Sequence, residues 1–390
     1  MQAADLSPAL RKTLVPLPAY PGAQALVPPA PPLQVSLVGV ENKVLRAHEA
    51  LASLQAKLAS LPNPNLILRT LDRREAVRSS QIEGTNAGVD HVFEYEATGS
   101  DHGLPTDVRV TANYVTALDQ GLRDIQQIGS GQALDLGLIR KLHALLMDGD
   151  EEYLKKDVPG RFRQRQNWIG GLRIYDAKIV PPPPELLHDP LSELERGLQY
   201  APSEEDQYSV SVVVRMAILH AYFELIHPFV DGNGRVGRML MPLMLAAEGY
   251  PPVYLAGFLK KNQARYYQTL GAAQLQERWP EWVGFLADGV VASCLDSVQT
   301  AEDLLAIRAG WERKLAHLRS DASALAALDV ILGSPVITAN RLKDALGVSF
   351  PAANMAIGQL MAEKILEATG KLGRNRAFFA PEIIARLDQP

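Results

Sequence analysis

The stretch HPFVDGNGRVGR, residues 227–238, carries most of the chemical information in this chain. It separates two apolar segments, 212–226 and 239–247, whose length and composition predict buried helices. A loop of small residues that enters a helix offers free backbone N–H groups and the positive end of the helix dipole. Gly232 and Gly234 let the backbone approach an oxygen-rich ligand that a Cβ atom would block. The stretch therefore predicts an anion-binding loop between two helices.

The charged side chains of this stretch indicate the kind of anion. Arg235 and Arg238 are three residues apart, so both leave the same face of the second helix, where two guanidinium groups would clamp a polyphosphate. Asp231 offers one hard oxygen, enough for a Mg²⁺ ion that substrate phosphates and water otherwise coordinate. His227 ordinarily exchanges a proton near neutral pH and would deprotonate a hydroxyl nucleophile. The alternative is that these residues have only structural roles. His227 would then be a core histidine, the glycines would form a turn and the arginines would be surface charges.

Length and composition limit the class of protein. The 390 residues allow about two or three domains, and 47% hydrophobic with 21% charged residues is typical of a globular chain. The net charge of −5 argues against binding nucleic acid or anionic lipid through bulk charge. The single cysteine, Cys294, excludes an internal disulfide and a multi-cysteine zinc site. Because no apolar run approaches the ~18 residues of a membrane span, we expect a soluble, cytoplasmic protein.

We expect the chain to divide into five segments. They are a Pro-rich arm (1–34), an N-terminal helical region (35–105), a central region with the loop (106–300), a linker helix (301–320) and a tail (321–390). The arm is expected to lie extended on the body or free in solvent. Alternation around Gly170 and Gly171 predicts a short β-hairpin over 165–180. Periodicity predicts helices over 40–61, 65–82, 106–127, 134–147, 185–199, 208–226, 233–248, 256–275 and 280–320.

The tail has the outline of a winged helix. Helices are predicted over 322–332, 338–346 and 350–363, followed by two strand-like pieces around 371–376. Winged helices often bind DNA, but the tail has as many acidic as basic residues, and 350–363 has no Lys or Arg. Because phosphate neutralisation dominates nucleic-acid affinity, dimerisation or docking of a partner is the expected use. Arg374 and Arg376 keep DNA binding open as an alternative.

The stretch 227–238 resembles the signature of the Fic family, His-Pro-Phe-x-Asp/Glu-Gly-Asn-Gly-Arg-x-x-Arg, at every defining position. The resemblance spans about residues 35–300 and implies a mainly α fold, the Fic helical fold with a short β-hairpin flap, here followed by the winged-helix tail. It also implies a protein adenylyltransferase, an enzyme that transfers AMP from ATP to a Ser, Thr or Tyr hydroxyl of a target protein and releases pyrophosphate. The related Doc kinases carry lysine in place of Gly234, so this glycine favours nucleotidyl transfer.

The resemblance assigns roles to the residues of the loop. His227 would be the catalytic base and Asp231 the Mg²⁺ ligand. The residues that bind ATP phosphates would be Gly232, Asn233, Gly234, Arg235 and Arg238, with Arg238 on the γ-phosphate.

A second resemblance lies upstream, in SSQIEG, residues 79–84. It is similar to the inhibitory motif of the family, Ser/Thr-x-x-x-Glu-Gly/Asn, and places this chain with members that carry inhibition in an N-terminal helical extension. In that role Glu83 would pair with Arg238 and exclude the γ-phosphate of ATP from its productive position. A charge-assisted hydrogen bond is worth ~1.5–3 kcal/mol, which changes occupancy roughly 10- to 150-fold. The alternative is that Glu83 forms a surface ion pair or ends a helix.

The resemblance also implies two less specific contact regions. Tyr175 and Ile179 are candidates for target contacts on the flap, whose edge would align a peptide by strand addition. Tyr267 and Leu270 are candidates for the adenine pocket, and Gln274 stands where relatives often carry asparagine. Side chains in hairpins and aromatic residues in helices more often serve packing, which is the alternative at all these positions.

Two other functions remain open at the level of sequence. Some family members use the inhibitory glutamate to position a water molecule that hydrolyses the AMP–protein bond, and Glu83 would serve this reaction equally. A regulator is the other alternative, with a DNA-binding tail and a nucleotide-sensing loop. A hydroxyl of the chain itself is one candidate acceptor. Self-association into a homodimer that covers Glu83 is one route of regulation.

Overall fold

The computed structural model describes residues 3–32, 34–129, 131–202, 210–369 and 376–389. Across these residues the chain is mainly helical, which confirms the predicted fold class. In chain order the elements are α1 Pro8–Arg11, β1 Leu14–Pro16, β2 Gln24–Leu26, α2 Glu41–Ala59, α3 Pro64–Ile82, α4 Val89–Thr98, α5 Val108–Ile128, α6 Leu136–Leu146, α7 Glu151–Leu154, α8 His188–Leu198, α9 Val212–Ile226, α10 Asn233–Ala247, α11 Ala256–Lys261, α12 Gln263–Gln276, α13 Trp279–Lys314, α14 Ser323–Gly333, β3 Val336–Thr338, α15 Ala339–Leu346, α16 Phe350–Ala362, β4 Glu367–Ala368, β5 Ala377–Phe379 and α17 Pro381–Asp388.

The chain folds into two compact units, each of which is discontinuous in sequence. One combines Met1–Ser53 with Thr116–Ser293, and the other combines Leu54–Val115 with Cys294–Pro390. We call them the loop unit, because it contains residues 227–238, and the tail unit. The divisions expected at 34, 105, 300 and 320 stay a prediction. The boundaries of the two units fall inside α2, α5 and α13, where continuous helical periodicity gives no local signal of a boundary.

Helix α9 is the central helix of the loop unit. All of its residues are buried, and it packs against α8, α10 and α12. A helix that is apolar on every face needs apolar neighbours all round, and this arrangement supplies them. The hydroxyl of Ser211 caps its first turn by accepting from the N–H of Val214. The indole N–H of Trp282 donates to the Ala217 carbonyl over 2.7 Å, so a polar atom also fixes α13 on this helix.

The Pro-rich arm lies on the loop unit and contains a hairpin that the sequence did not predict. Strands β1 and β2 pair antiparallel, with Leu14 opposite Leu26. The N–H of Leu26 donates to the Val180 carbonyl over 2.9 Å. Leu17 and Ala25 pack with Ile174 and Val180 in one buried apolar cluster. The arm was expected either to lie on the body or to be free in solvent, and it lies on the body.

The predicted hairpin over 165–180 is reduced to a single antiparallel bridge between Ile169 and Ile179. The N–H of Ile169 donates to the Ile179 carbonyl over 2.9 Å, and the N–H of Ile179 donates back over 3.2 Å. Gly170 and Gly171 follow with φ of 70° and 83°. A Cβ atom at Gly171 would lie 2.5 Å from the Asp176 carbonyl oxygen, so only glycine fits this turn. We call residues 165–180 the flap.

Two helices differ from the sequence prediction. The helix predicted over 256–275 is interrupted at Asn262, whose side-chain amide donates to the Phe258 carbonyl over 2.9 Å and competes with the helical pattern. Helix α4 was not predicted, although Val92 and Phe93 on one of its faces are buried. Gly88 and Gly99 bound it and separate its short pattern from the neighbouring helices.

The tail unit joins α3 and α4 to the C-terminal elements. The three predicted helices of the tail are present as α14, α15 and α16. Strands β3, β5 and β4 form an antiparallel sheet in that order, with Val336 opposite Phe379 and Glu367 on the other side of Phe379. Most of the strand region predicted around 371–376 lies outside the described residues, and the assignment of a winged helix stays a prediction.

Among the described residues, no single helix combines the length and apolar character needed to cross a membrane. Helices α15 and α16 meet that criterion only as a pair, across a bend of 112°.

Candidate active site

Two residues in the left-handed region turn the chain from α9 into α10. His227 has φ 46° and ψ 63°, and its N–H donates to the Phe223 carbonyl over 3.0 Å, which ends α9. Gly232 has φ 79° and precedes the first residue of α10. A non-glycine residue in this region is strained, so the surrounding structure must hold His227 in place. The turn brings the histidine and the N-terminus of α10 into one short loop.

The side chain of Asn233 closes this loop. Its Oδ1 accepts from the Phe229 N–H over 2.9 Å, and its Nδ2 donates to the Phe229 carbonyl over 2.9 Å. Asn233 is 1% exposed. The sequence analysis placed Asn233 among the phosphate-binding residues, but its side chain holds the backbone of the loop. Its contribution to an anion site is therefore the backbone N–H at the first turn of α10.

The imidazole of His227 bonds to the last turn of α9. Nδ1 lies 3.2 Å from the Glu224 carbonyl oxygen and 3.9 Å from the Glu224 carboxylate. Because a carbonyl oxygen can only accept, the proton belongs on Nδ1, and Nε2 carries the lone pair. The side chain of His227 is 21% exposed, so a substrate can reach it. This geometry suits a general base that acts through Nε2.

Asp231 lies at the surface of the loop. Its Oδ1 accepts from the Gly232 N–H over 2.7 Å, and its side chain is 53% exposed. Oδ1 is 4.0 Å from Arg235 Nη2, and Oδ2 is 3.9 Å from Lys156 Nζ. No group of three or more metal-ligating side chains occurs within the described part of the chain. A single exposed carboxylate fits a Mg²⁺ ion that arrives with nucleotide phosphates and takes its other ligands from them and from water.

The two arginines of the loop are buried on α10. Arg235 is 7% exposed and Arg238 is 1% exposed. Charges interact more strongly in a poorly hydrated site than in water, so both guanidinium groups would attract a phosphate that reaches them. Gly232 lies beside them, and a Cβ atom there would lie 2.2 Å from Cε of Met147 and 3.5 Å from Nε2 of His143. The positive φ of Gly232 makes any side chain strained, whatever space Met147 yields.

Three side chains outside 227–238 hold the carbonyl oxygens of the loop, and sequence reasoning missed all three. Arg163 Nε donates to the His227 carbonyl, Asn167 Nδ2 to the same oxygen, and His143 Nε2 to the Asp231 carbonyl, over 2.9, 3.2 and 3.1 Å. These partners are 64, 60 and 88 positions apart in sequence. No local spacing marks such contacts, because their acceptors are backbone atoms that any residue carries.

His143 is a neutral, buried ring. Its Nδ1 accepts from the Gly160 N–H over 2.9 Å, which leaves the proton on Nε2. The ring stacks on Phe229 with 3.8 Å between centroids. Burial lowers the pKa of His143 to about 4. It therefore stays uncharged at neutral pH and fixes the end of the loop that precedes α10.

The predicted adenine residues differ in exposure. Tyr267 is 49% exposed on α12, whereas Leu270 is 6% exposed. Gln274 Nε2 donates to the Ala221 carbonyl over 2.9 Å and so holds α12 against α9. Tyr267 is therefore the residue of this set whose side chain is open to a ligand.

The predicted flap contacts differ in the same way. Tyr175 is 56% exposed. Ile179 is 6% exposed and its side chain packs with Leu10, Leu26 and Leu225, and its contact with a target stays a prediction. Leu172 of the flap, which was not among the candidates, is 94% exposed.

Glu83 follows the last residue of α3 in the tail unit. Its N–H donates to the Ser80 carbonyl over 2.9 Å, and Gly84 follows with φ 93°. Glu83 therefore does end a helix, which is compatible with an inhibitory role as well. Its pairing with Arg238 stays a prediction.

Comparisons with known proteins agree with the loop chemistry. The model of the Fic/DOC family N-terminal region matches residues 42–123 and the Fic/DOC family model matches residues 133–245, together half of the chain. Protein adenylyltransferase fic-1 of Caenorhabditis elegans is 29% identical over 146 residues, which are 37% of this chain and 26% of that protein. Protein adenylyltransferase Fic of Drosophila ananassae is 36% identical over 129 residues, 33% of this chain and 23% of that protein.

The match therefore spans about a quarter of the length of these curated relatives. Among solved structures, the crystal structure of a Fic family protein from Desulfovibrio desulfuricans superposes with a TM-score of 0.55 at 22% identity. That likeness covers 90% of this chain and 98% of the other, and it concerns the fold. With both family models matched along the chain and the complete loop between α9 and α10, this chain belongs to the Fic/DOC family.

Proposed function

We propose that this chain transfers AMP from ATP to a Ser, Thr or Tyr hydroxyl of a target protein. The observation that carries the proposal is the short turn between α9 and α10. It presents the lone pair of His227 Nε2 beside a helix N-terminus that carries two buried arginines. A base next to a phosphate-binding helix end suits attack of a hydroxyl on a nucleotide phosphate. The names of the relatives, protein adenylyltransferases, support the same reaction.

The proposed reaction is a single displacement at the α-phosphorus. Nε2 of His227 takes the proton of the acceptor hydroxyl as its oxygen attacks. The bond from the α-phosphorus to the oxygen that bridges to the β-phosphate breaks, and pyrophosphate leaves. The N–H groups at the start of α10, with Arg235 and Arg238, stabilise the charge that builds on the phosphates. Mg²⁺ that accompanies ATP would be held by Asp231 and would neutralise phosphate charge.

Incubation of the full chain with α-³²P-ATP and MgCl₂ tests this function. We expect label to enter protein, and an intact-mass shift by one AMP to identify modified chains, including this chain itself if it is an acceptor. Label from γ-³²P-ATP in place of α-³²P-ATP would show phosphoryl transfer and contradict the proposal.

We further propose that Glu83 inhibits this reaction. Its support is the match of 79–84 to the inhibitory motif and its place at the end of α3, where the backbone N–H of Glu83 is bonded to the last turn of the helix. Removal of AMP from a modified target with water positioned by Glu83 is the competing function. Incubation of an AMP-modified target with wild type and with Glu83→Gly separates the two, since only the hydrolase releases AMP in a manner that requires Glu83.

For the tail we propose docking of protein rather than DNA. Helix α16 contains no Lys or Arg, so it has no side chain suited to neutralise a phosphate backbone. A gel shift with mixed-sequence duplex DNA at physiological salt tests this, and retarded DNA would contradict it. Sedimentation of the full chain over a range of concentrations tests whether a second copy is the partner.

A further inference from the structure

Arg163 holds the C-terminal end of α9 from within the protein. It is 2% exposed. Its Nε donates to the His227 carbonyl over 2.9 Å, its Nη2 to the Ile226 carbonyl over 3.3 Å and to the Pro182 carbonyl. Its backbone N–H donates to the Pro228 carbonyl over 2.9 Å. One residue thus satisfies three consecutive carbonyl groups, 226–228, at a helix end where such groups lack intrahelical partners.

A second donor supports the same oxygen. Asn167 Nδ2 donates to the His227 carbonyl over 3.2 Å and to the Phe229 carbonyl over 3.1 Å. The carbonyl of His227 is therefore bonded from two sides, while its N–H is bonded to Phe223. These contacts hold both peptide groups of a residue whose left-handed conformation costs about 1–3 kcal/mol. Without them, relaxation of His227 would rotate the imidazole away from the Glu224 carbonyl that fixes its tautomer.

We propose that Arg163 is a positioning residue for His227, with Asn167 as its second donor. The inference rests on the proposed function of His227 as base. The planar guanidinium group is needed because it reaches four carbonyl oxygens in different directions, including that of Arg165, which the single ammonium group of lysine cannot do. Because the phosphate-binding groups belong to α10, loss of Arg163 should impair proton transfer and leave nucleotide binding unchanged.

The test compares Arg163→Lys and Asn167→Asp with Arg165→Lys. Asn167→Asp is isosteric and replaces a donor with a carboxylate beside two carbonyl oxygens. Arg165 is exposed two positions further on and donates to the Lys156 carbonyl instead, so it is a matched control. We expect kcat for AMP transfer to fall at least tenfold in the first two variants with KM for ATP within twofold of wild type, and no change in the control.

A measurement without turnover separates this inference from the proposed function. In ¹⁵N-labelled protein, the side-chain resonances of His227, identified by their loss in His227→Ala, should show the Nδ1–H tautomer. That signature should be lost in Arg163→Lys and kept in Arg165→Lys. If wild type transfers no AMP, the proposed function fails while the tautomer still reports on positioning. Three results would each overturn the inference. They are a wild-type kcat with an unchanged tautomer, a raised KM for ATP at constant kcat, and unfolding of both variants.

A different set of contacts, within the tail unit, ties α3 to the last helix of the chain. Arg78 Nη2 donates to the carbonyls of Asp388 and Gln389 over 2.6 and 3.2 Å, at the end of α17. Arg74, one turn earlier, pairs with Asp296 and donates to Thr300 Oγ1 over 3.3 Å. Arg386 of α17 donates to the same hydroxyl over 2.9 Å. Thr300 is fully buried, so α3 and α17 share one enclosed polar network.

The packing of the tail on α3 is close at a second point. A Cβ atom at Gly333, the last residue of α14, would lie 2.9 Å from Cδ2 of Leu66 on α3. Helix α3 is therefore in contact with the tail near both of its ends, and residues 79–84 follow directly from the Arg78 contact. A displacement of α17 would act on the last turn of α3, where Glu83 lies.

We infer that the tail holds residues 79–84 in the inhibitory position, so that loosening the tail relieves inhibition. This second inference rests on the proposed inhibitory role of Glu83. Arg78→Gln removes the contact with α17 while keeping a helix-forming side chain. Arg308→Gln is the matched control, because Arg308 pairs with Asp329 of α14 and Glu312 and touches the tail without α3.

Hydrogen exchange and a double-mutant cycle test this coupling. We expect faster amide exchange over 79–84 and about fivefold faster AMP transfer in Arg78→Gln, and no change in Arg308→Gln. In the Glu83→Gly background, Arg78→Gln should add nothing to transfer. Faster exchange without faster transfer in any variant would refute the inhibitory role of Glu83 and leave the mechanical link intact. Unchanged exchange over 79–84 in Arg78→Gln would overturn the link itself.

Discussion

Gly237 of α10 faces the carboxylate of Glu224 on α9 so closely that a methyl group at this position would displace the carboxylate. A Cβ atom at Gly237 would lie 2.5 Å from Oε1 of Glu224 and 3.0 Å from Cδ1 of Phe223. The carboxylate of Glu224 also lies 3.9 Å from Nδ1 of His227, so a position that the loop signature leaves variable contacts a neighbour of His227.

Gly237→Ala should therefore destabilise the protein by about 1–3 kcal/mol, the usual cost of an inserted methyl group in a packed core. AMP transfer should fall as well, because the displaced carboxylate of Glu224 lies 3.9 Å from Nδ1 of His227. Gly257→Ala is the control, since a Cβ atom at this helical position meets nothing within 4 Å. It should be neutral or slightly stabilising, because glycine is a poor helix former. Urea unfolding and α-³²P-ATP labelling of both variants check the prediction, and equal stabilities would contradict it.

The parts of this fold that sequence could predict are those whose signal is local. The apolar segments of α9 and α10 and the small residues between them lie within one continuous stretch, and both helices form where the sequence predicts them. Gln274 and Ile179 show the opposite case. Their residue types fit a binding site, but the decision between ligand and packing depends on Ala221 and Leu26, which lie far away in sequence.

Roles that depend on backbone acceptors left no sequence signal at all. Arg163, Asn167 and His143 hold carbonyl oxygens of the loop, and a carbonyl oxygen is common to every residue. Gly237 was missed for a related reason, because the close approach of two helices depends on which faces meet. Periodicity identifies an apolar face but not its partner.

His227→Ala should reduce AMP transfer ~10²–10⁴-fold, the usual contribution of a general base. ATP binding, measured by calorimetry, should change little because the groups proposed to bind phosphate lie on α10. The matched control is His188→Ala, whose imidazole is 89% exposed and pairs with Asp189 outside the loop. Labelling that survives in His227→Ala at the wild-type rate would remove His227 from the mechanism.

Glu83→Gly should raise AMP transfer roughly 10- to 150-fold, because a carboxylate that competes with the γ-phosphate for a guanidinium group is removed. Glu83→Gln should raise transfer too, since the amide lacks the charge. Glu367→Gln, an exposed position on β4, is the control for loss of one negative charge. The initial rate of label incorporation measures the effect. No gain in either Glu83 variant with any acceptor would show that Glu83 does not inhibit.

The stability of the loop unit should fall on acidification because of His220. This histidine of α9 is 3% exposed, lies 2.9 Å from the hydroxyl of Tyr266 through Nε2 and has its pKa lowered by burial to about 4. In the unfolded chain this histidine has an ordinary pKa of ~6.5 and binds a proton that the folded chain does not bind. The free energy of unfolding therefore falls as the pH falls from 6.5 towards 4. Between pH 7 and pH 5 the loss from this group is about 2 kcal/mol. His143, whose pKa is also about 4, adds a loss of the same sign.

His220→Gln isolates the contribution of the one group. Its free energy of unfolding in urea should be lower than that of wild type at pH 7, because the packing against Tyr266 and Trp282 is altered. The difference between pH 7 and pH 5 should nevertheless shrink by about 2 kcal/mol, since glutamine has no proton to gain. His188→Gln, at an exposed site, should keep the wild-type difference. An unchanged difference in His220→Gln would mean that the imidazole takes up its proton in the folded state, which burial and the nearby charge of Arg238 both oppose.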